Sequence, residues 1–160
     1  MTMAATTPAE ATGETATLRL SRVFPAPRET VFRAFTDPAM LRQWWGPHGM
    51  SCPVAEVDLT VGGAYRLEMK PEEGESVHLA GSYLEIAPPA RLRFTWIWQQ
   101  GDMAGLETVV TLDFAEHADG TELTLTHEGL PSEDSRGKHE GGWSSCFDCL
   151  AAAVADGSVA

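Results

Sequence analysis

An α+β fold, with one curved antiparallel sheet of about seven strands around a long C-terminal helix, is what this sequence predicts. Three observations predict it. Seven segments between Thr17 and Glu128 carry the apolar/polar alternation of half-buried strands, separated by Gly- and Pro-rich turns. Two short stretches after the first of them have helical spacing instead. Near the C-terminus, Trp143, Phe147, Leu150 and Val154 recur at i, i+4, i+7 and i+11, one face of a helix. Helices confined to one face of an antiparallel sheet make a layered α+β architecture.

The elements follow in order. Thr17 to Phe24 alternates Leu18, Leu20 and Phe24 with Arg19 and Ser21, and Pro25-Ala26-Pro27 ends it. Arg28 to Thr36 places Val31, Phe32 and Phe35 on one side of a short helix. Asp37-Pro38 starts a second helix, with Asp as the cap and Pro at the first helical position. This helix carries Leu41, Trp44 and Trp45 before Gly46-Pro47 stops it. Paired tryptophans there need cover, and they would form a lid beside any cavity mouth, with Trp45 turned inward.

The meander comes next. Pro53 to Val61 sets Ala55, Val57, Leu59 and Val61 on one face, and Gly62-Gly63 turns the chain. Tyr65, Leu67 and Met69 form the next strand, Pro71 to Ser76 a loop, and Val77 to Ile86 a strand whose faces are poorly separated. Pro88-Pro89 turns into Leu92, Phe94, Trp96 and Trp98, followed by a loop over Gln99 to Gly105. Val110, Leu112 and Phe114 precede a hairpin at Asp119-Gly120, and the last strand carries Leu123, Leu125 and His127. Gly129-Leu130-Pro131 closes the run. Ser132 with Glu133 and Asp134 starts the long helix, where acidic groups suit the positive end of the dipole, and Asp156-Gly157 ends it. Gly137, Gly141 and Gly142 each cost a helix about 1 kcal/mol relative to Ala, so a break before Trp143 or a close backbone approach is expected there.

Composition bounds the function. A chain of 160 residues, 43% hydrophobic and 21% charged, can bury a full core. Its net charge of -12 argues against binding nucleic acid or an anionic membrane. Residues 1–16, rich in Ala and Thr, read as a disordered tail and not as a signal peptide, leaving residues 17–157 as one domain. Three cysteines make no disulfide framework, which fits a reducing cytoplasm. No P-loop, dinucleotide fingerprint, zinc-protease motif or nucleophile elbow is present, and neither cofactor nor metal is expected.

A bent sheet gripping a helix leaves space for an apolar ligand between them. Trp96 and Trp98 share a strand face with Leu92 and Phe94, and Trp143, Phe147 and Leu150 face them from the helix. These side chains either fill the core or line a pocket. Buried indole N–H groups need partners, which favours the pocket. His127 is either a structural histidine bonded within the fold or an acid–base group. His48, His78, His117 and His139 look exposed. Cys146-Phe147-Asp148-Cys149 has the spacing of a redox motif but lies inside a helix, where small buried thiols are the plainer reading.

The run Trp44-Trp45-Gly46-Pro47, with Gly62-Gly63-Ala64-Tyr65-Arg66, Gly81 to Pro89, Phe94-Thr95-Trp96, Thr126 to Leu130 and Gly142-Trp143, resembles the family of activators of heat-shock-protein-90 ATPase homologues. That family belongs to the START-like, birch-pollen-allergen-like superfamily of helix-grip folds. The resemblance runs from about Leu18 to Val154. It implies a deep cavity that takes lipids, polyketides or similar molecules, and a link to stress response. Binding of a small hydrophobic or amphipathic ligand in that cavity is the expected function, with turnover left open. The candidate wall is Phe35, Trp45, Tyr65, Tyr83, Trp96, Trp98, His127, Trp143, Phe147 and Leu150. Two alternatives are a chaperone-activating interaction module and an enzyme of cyclase or hydrolase type. The family's eukaryotic activators bind the chaperone partly through a separate N-terminal domain, whereas about sixteen residues precede this one. A small apolar molecule is thus the expected partner before a chaperone, and the sequence is also compatible with a homodimer.

Overall fold

The computed structural model describes residues 15–157. The tail expected over residues 1–16 therefore falls, up to residue 14, outside the described residues. Seven strands form one antiparallel sheet: β1 (Ala16–Phe24), β2 (Met50–Val57), β3 (Ala64–Pro71), β4 (Val77–Ala87), β5 (Arg91–Trp98), β6 (Glu107–His117) and β7 (Gly120–Leu130). Their order across the sheet is β1-β7-β6-β5-β4-β3-β2, so β2 to β7 form a meander and β1 closes on its far side. The helices are α1 (Arg28–Thr36), α2 (Pro38–Trp44) and α3 (Glu133–Asp156). This is the helix-grip arrangement the sequence predicts.

The helix ends follow capping rules. Asp37 accepts a hydrogen bond from the Ala39 amide at 2.8 Å with Pro38 behind it, and Ser132 Oγ accepts from the Ser135 amide at 3.0 Å. Gly157 closes α3 at φ 84°, in the left-handed region that a glycine enters freely. α3 is 24 residues, about 36 Å long, and packs on β1, β7 and α2. Its buried stripe is Trp143, Cys146, Phe147, Leu150 and Ala153, with Val154 only half-buried at the edge. Phe147 is fully buried, its ring edge-on to Phe24 at 5.8 Å.

Two expectations need correction. β2 starts at Met50 and ends at Val57, so the apolar alternation that continued through Leu59 and Val61 is not strand. Those two side chains are exposed, Val61 at 68%. Local bonds end the ladder: the Thr60 amide donates to the Asp58 carbonyl, and the Gly63 amide to that of Thr60, both at 2.8 Å. The glycines of α3 produce neither a break nor a close approach. The helix runs through them, and a Cβ built on Gly137, Gly141 or Gly142 would meet nothing within 4 Å. Pairs one helical turn apart reinforce this half of the helix, with Lys138 Nζ 3.2 Å from Asp134 and Arg136 bonded to Glu133 and Glu140.

Candidate functional site

Between β5 and α3 lies a cavity of about 240 Å³. Alternation along β5 turns Trp96 and Trp98 toward it, and helical spacing brings His139, Gly142, Trp143 and Cys146 to the opposite side. Trp45, just past the end of α2, forms a third wall, and Met69 of β3 and Pro47 complete it with Lys138 at the rim. The indoles pack on one another: Trp96 lies 5.0 Å from Trp143 and 5.3 Å from Trp98, and Trp45 stands edge-on to Trp143 at 5.6 Å. A second gap, bounded by Phe35, Trp45, Tyr65, Tyr83 and Trp96 among others, has about 20 Å³. That is room for a single water. Gly81 lets β4 approach β5 and the Tyr65 ring closely, because a Cβ there would run into the Thr95 carbonyl and that ring. Tyr65 donates its hydroxyl to that carbonyl at 2.6 Å, and burial pushes the phenol pKa up.

The sequence-predicted residues thus separate into three groups. Trp45, Trp96, Trp98 and Trp143 surround the larger cavity. Phe35, Tyr65 and Tyr83 pack round the small gap. His127, Phe147 and Leu150 border neither and are fully buried behind the wall. Trp44, paired with Trp45 in sequence, turns the other way, stacking edge-on to Phe35 at 4.9 Å and donating to the Ala34 carbonyl at 2.9 Å. His139 corrects its reading as exposed: it is half-buried and faces the cavity. Its position four residues before Trp143, on the same helical face, is the signal that could have found it.

Hydrogen bonds fix both histidine tautomers. Indole N–H only donates, so His127 Nδ1 accepts from Trp143 Nε1 at 3.2 Å and Nε2 carries the proton toward Thr108 Oγ1 at 2.8 Å. Thr108 passes its own proton to the Trp96 carbonyl at 3.0 Å. Likewise His139 Nε2 accepts from Trp98 Nε1 at 3.1 Å while Nδ1 donates to the Ser135 carbonyl at 2.8 Å. Burial first, and the neighbouring His139 second, hold the His127 pKa down to about 3. Neither imidazole has a free nitrogen for a substrate.

The cysteines are equally quiet. Cys146 borders the cavity, but burial pushes its thiol up to about 12. Cys149, one turn on, lies 3.8 Å from His48 Nδ1, and His48 Nε2 is 3.4 Å from Asp148. This thiol–imidazole–carboxylate row is on the surface, and burial and then the Asp148 charge raise the Cys149 pKa, the wrong direction for a nucleophile. Its role is structural: Asp148 bonds Arg22 at 2.6 Å, and the His48 amide donates to Ser145 Oγ at 2.7 Å, tying the Gly-Pro loop and β1 to α3. Among the described residues no group of His, Cys, Asp or Glu is placed to hold a metal ion, and no helix is long and apolar enough to cross a membrane.

A family model described as "Activator of Hsp90 ATPase homolog 1-like protein" matches residues 25–155. Among solved structures, a protein from Chromobacterium violaceum is 36% identical with a TM-score of 0.77, covering 86% of this chain and 96% of its own. The AHSA1 protein from Silicibacter pomeroyi is 34% identical with a TM-score of 0.79, covering 88% and 98%. A protein from Nitrosomonas europaea, at 25% identity and a TM-score of 0.73, covers 88% and 94%. No curated protein matches the chain.

Proposed function

We propose that this chain, which belongs to the Activator of Hsp90 ATPase homolog 1-like family, binds a compact, largely apolar molecule between β5 and α3 without transforming it. The observation that carries the reading is the cavity of about 240 Å³ walled by four of the five tryptophans. Its lining is almost entirely apolar and aromatic, the character of pockets that take small molecules. The volume lies just below the range of about 300–1,000 Å³ typical of ligand pockets. It suits a molecule of two or three rings, or a short branched chain, better than a long-chain lipid.

The wall's chemistry supports binding without turnover. Both histidines nearest the cavity have each ring nitrogen engaged, and the thiol facing it is held protonated. Acid–base or nucleophilic catalysis needs a group free to meet the substrate. The free thiols of Cys52, Cys146 and Cys149 support a reducing, cytoplasmic setting.

The test is native mass spectrometry of the purified protein, followed by tryptophan-fluorescence titration with small two-ring aromatics. We expect a bound or displaceable compact molecule and a fluorescence change that saturates. A flat titration up to the solubility limit of every probe would sink the reading.

A further inference from the structure

The fold settles the indole N–H of three tryptophans. Trp44 donates to a backbone carbonyl away from the cavity, Trp98 donates to His139 on its wall, and Trp143 donates to His127 behind it. Trp45 and Trp96 differ. Each is only 4% exposed, each borders the cavity, and neither Nε1 has a hydrogen-bond partner. Buried donors without acceptors are rare in native folds, and buried tryptophan nearly always finds a partner. The two orphaned rings are neighbours, their centroids 6.0 Å apart, and both border the larger cavity and the small gap beside it. The side chains that line the cavity supply no oxygen: Met69 and Cys146 offer weakly accepting sulfur, and the imidazoles are engaged. The Tyr65 and Tyr83 hydroxyls beside the small gap bond to neither indole.

We infer that the molecule held here carries a neutral oxygen acceptor, a ketone, lactone or ether oxygen on an apolar frame, that takes the N–H of Trp45 or Trp96. The inference rests on the cavity-binding reading and specifies the class of molecule bound. A neutral acceptor fits better than an anion. The one cationic side chain at the cavity, Lys138, is 75% exposed and already pairs with Asp134 at 3.2 Å, and the chain as a whole carries -12. A bare carboxylate brought into this wall would lose its hydration with no buried cation in return.

A matched pair of probes tests this. Tetralin and α-tetralone have nearly the same shape and differ in one carbonyl. In a cavity with no donor the hydrocarbon binds better, because the ketone gives up its hydrogen bonds to water. A waiting donor reverses that order. Both are titrated into isotope-labelled protein while the five indole N–H resonances are followed, assigned through Trp45→Phe and Trp96→Phe or, if either variant does not fold, through the wild-type spectrum alone. We expect α-tetralone to bind about tenfold more tightly than tetralin and to move the Trp45 or Trp96 indole proton downfield, while tetralin moves neither. In the matching Phe variant the preference is lost and tetralin affinity is little changed. If both probes bind equally, or tetralin more tightly, with no downfield shift, the acceptor inference fails and the cavity reading stands. Tighter binding of naphthoate than of α-tetralone would overturn the neutral class. If none of the probes binds, the cavity reading fails and this inference with it.

Discussion

His127 ties the stability of the fold to pH, although it borders neither cavity. Its ring bridges α3 to β6 through Trp143 and Thr108, and it is completely buried. The folded-state pKa is held near 3, against about 6.5 in the unfolded chain. Between those values the unfolded chain holds a proton that the folded one refuses. The stabilising contribution is therefore complete above pH 6.5 and is lost progressively as pH falls toward 3. From pH 7 to pH 4.5 the loss is about 2–3 kcal/mol, two units at about 1.4 kcal/mol each. His127→Gln keeps an acceptor and a donor in the same place and cannot titrate. Urea unfolding at the two pH values should show this variant losing about 2 kcal/mol less than wild type over the interval. An identical acid loss in both proteins would show that His127 is not the responsible group.

At the scale of elements, α3 carries a contradiction between propensity and structure, since three glycines lie in a continuous helix with open space at each Cβ. Gly137→Ala and Gly141→Ala, both on the exposed side, should each raise stability by up to about 1 kcal/mol, read as a rise in Tm. Gly142 borders the cavity, so Gly142→Leu should keep or raise Tm while abolishing the binding of tetralin, because the new side chain occupies the space. Unchanged binding in that variant would place the ligand elsewhere. The same helix shows what was legible in sequence and what was not. Trp143, Phe147 and Leu150 were readable because apolar residues at helical spacing have one stable place, against the sheet, and β5 declared Trp96 and Trp98 by strict alternation. His139, Lys138 and Gly142 were not, since polar residues and glycine at the start of a helix ordinarily face solvent. Met69 and Pro47 reach the cavity only through the curvature of the sheet and the path of a loop, which no local pattern encodes. β2 failed for a local reason: Leu59 and Val61 continued the period of two, but the Asp58, Thr60 and Gly63 bonds ended the ladder first. Periodicity registers side chains and is blind to which backbone groups find partners.

For the whole molecule, the charge imbalance sets the sign of the salt response. Twenty-three acidic residues face eleven basic ones, and most ion pairs, such as Arg66 with Glu56 and Arg91 with Asp113, are well exposed. Exposed pairs contribute little, roughly 0–1 kcal/mol each, and salt weakens them. Net self-repulsion acts across the entire surface and is screened by the same salt. Tm at pH 7 should therefore rise as NaCl increases. Acid acts through two opposed routes. Lowering pH toward the sequence pI of about 4.7 removes repulsion and stabilises the fold, whereas the buried His127 destabilises it over the same range. At low salt the two offset each other and the pH profile should be shallow. At high salt repulsion is already screened, so the histidine acts alone and the loss of Tm between pH 6.5 and 4.5 should be steeper. Thermal unfolding over a grid of pH and NaCl, with His127→Gln beside wild type, separates the two. A profile steeper at low salt than at high, or a salt effect of opposite sign at pH 7, would mean that local ion pairs outweigh the net charge in holding this fold together.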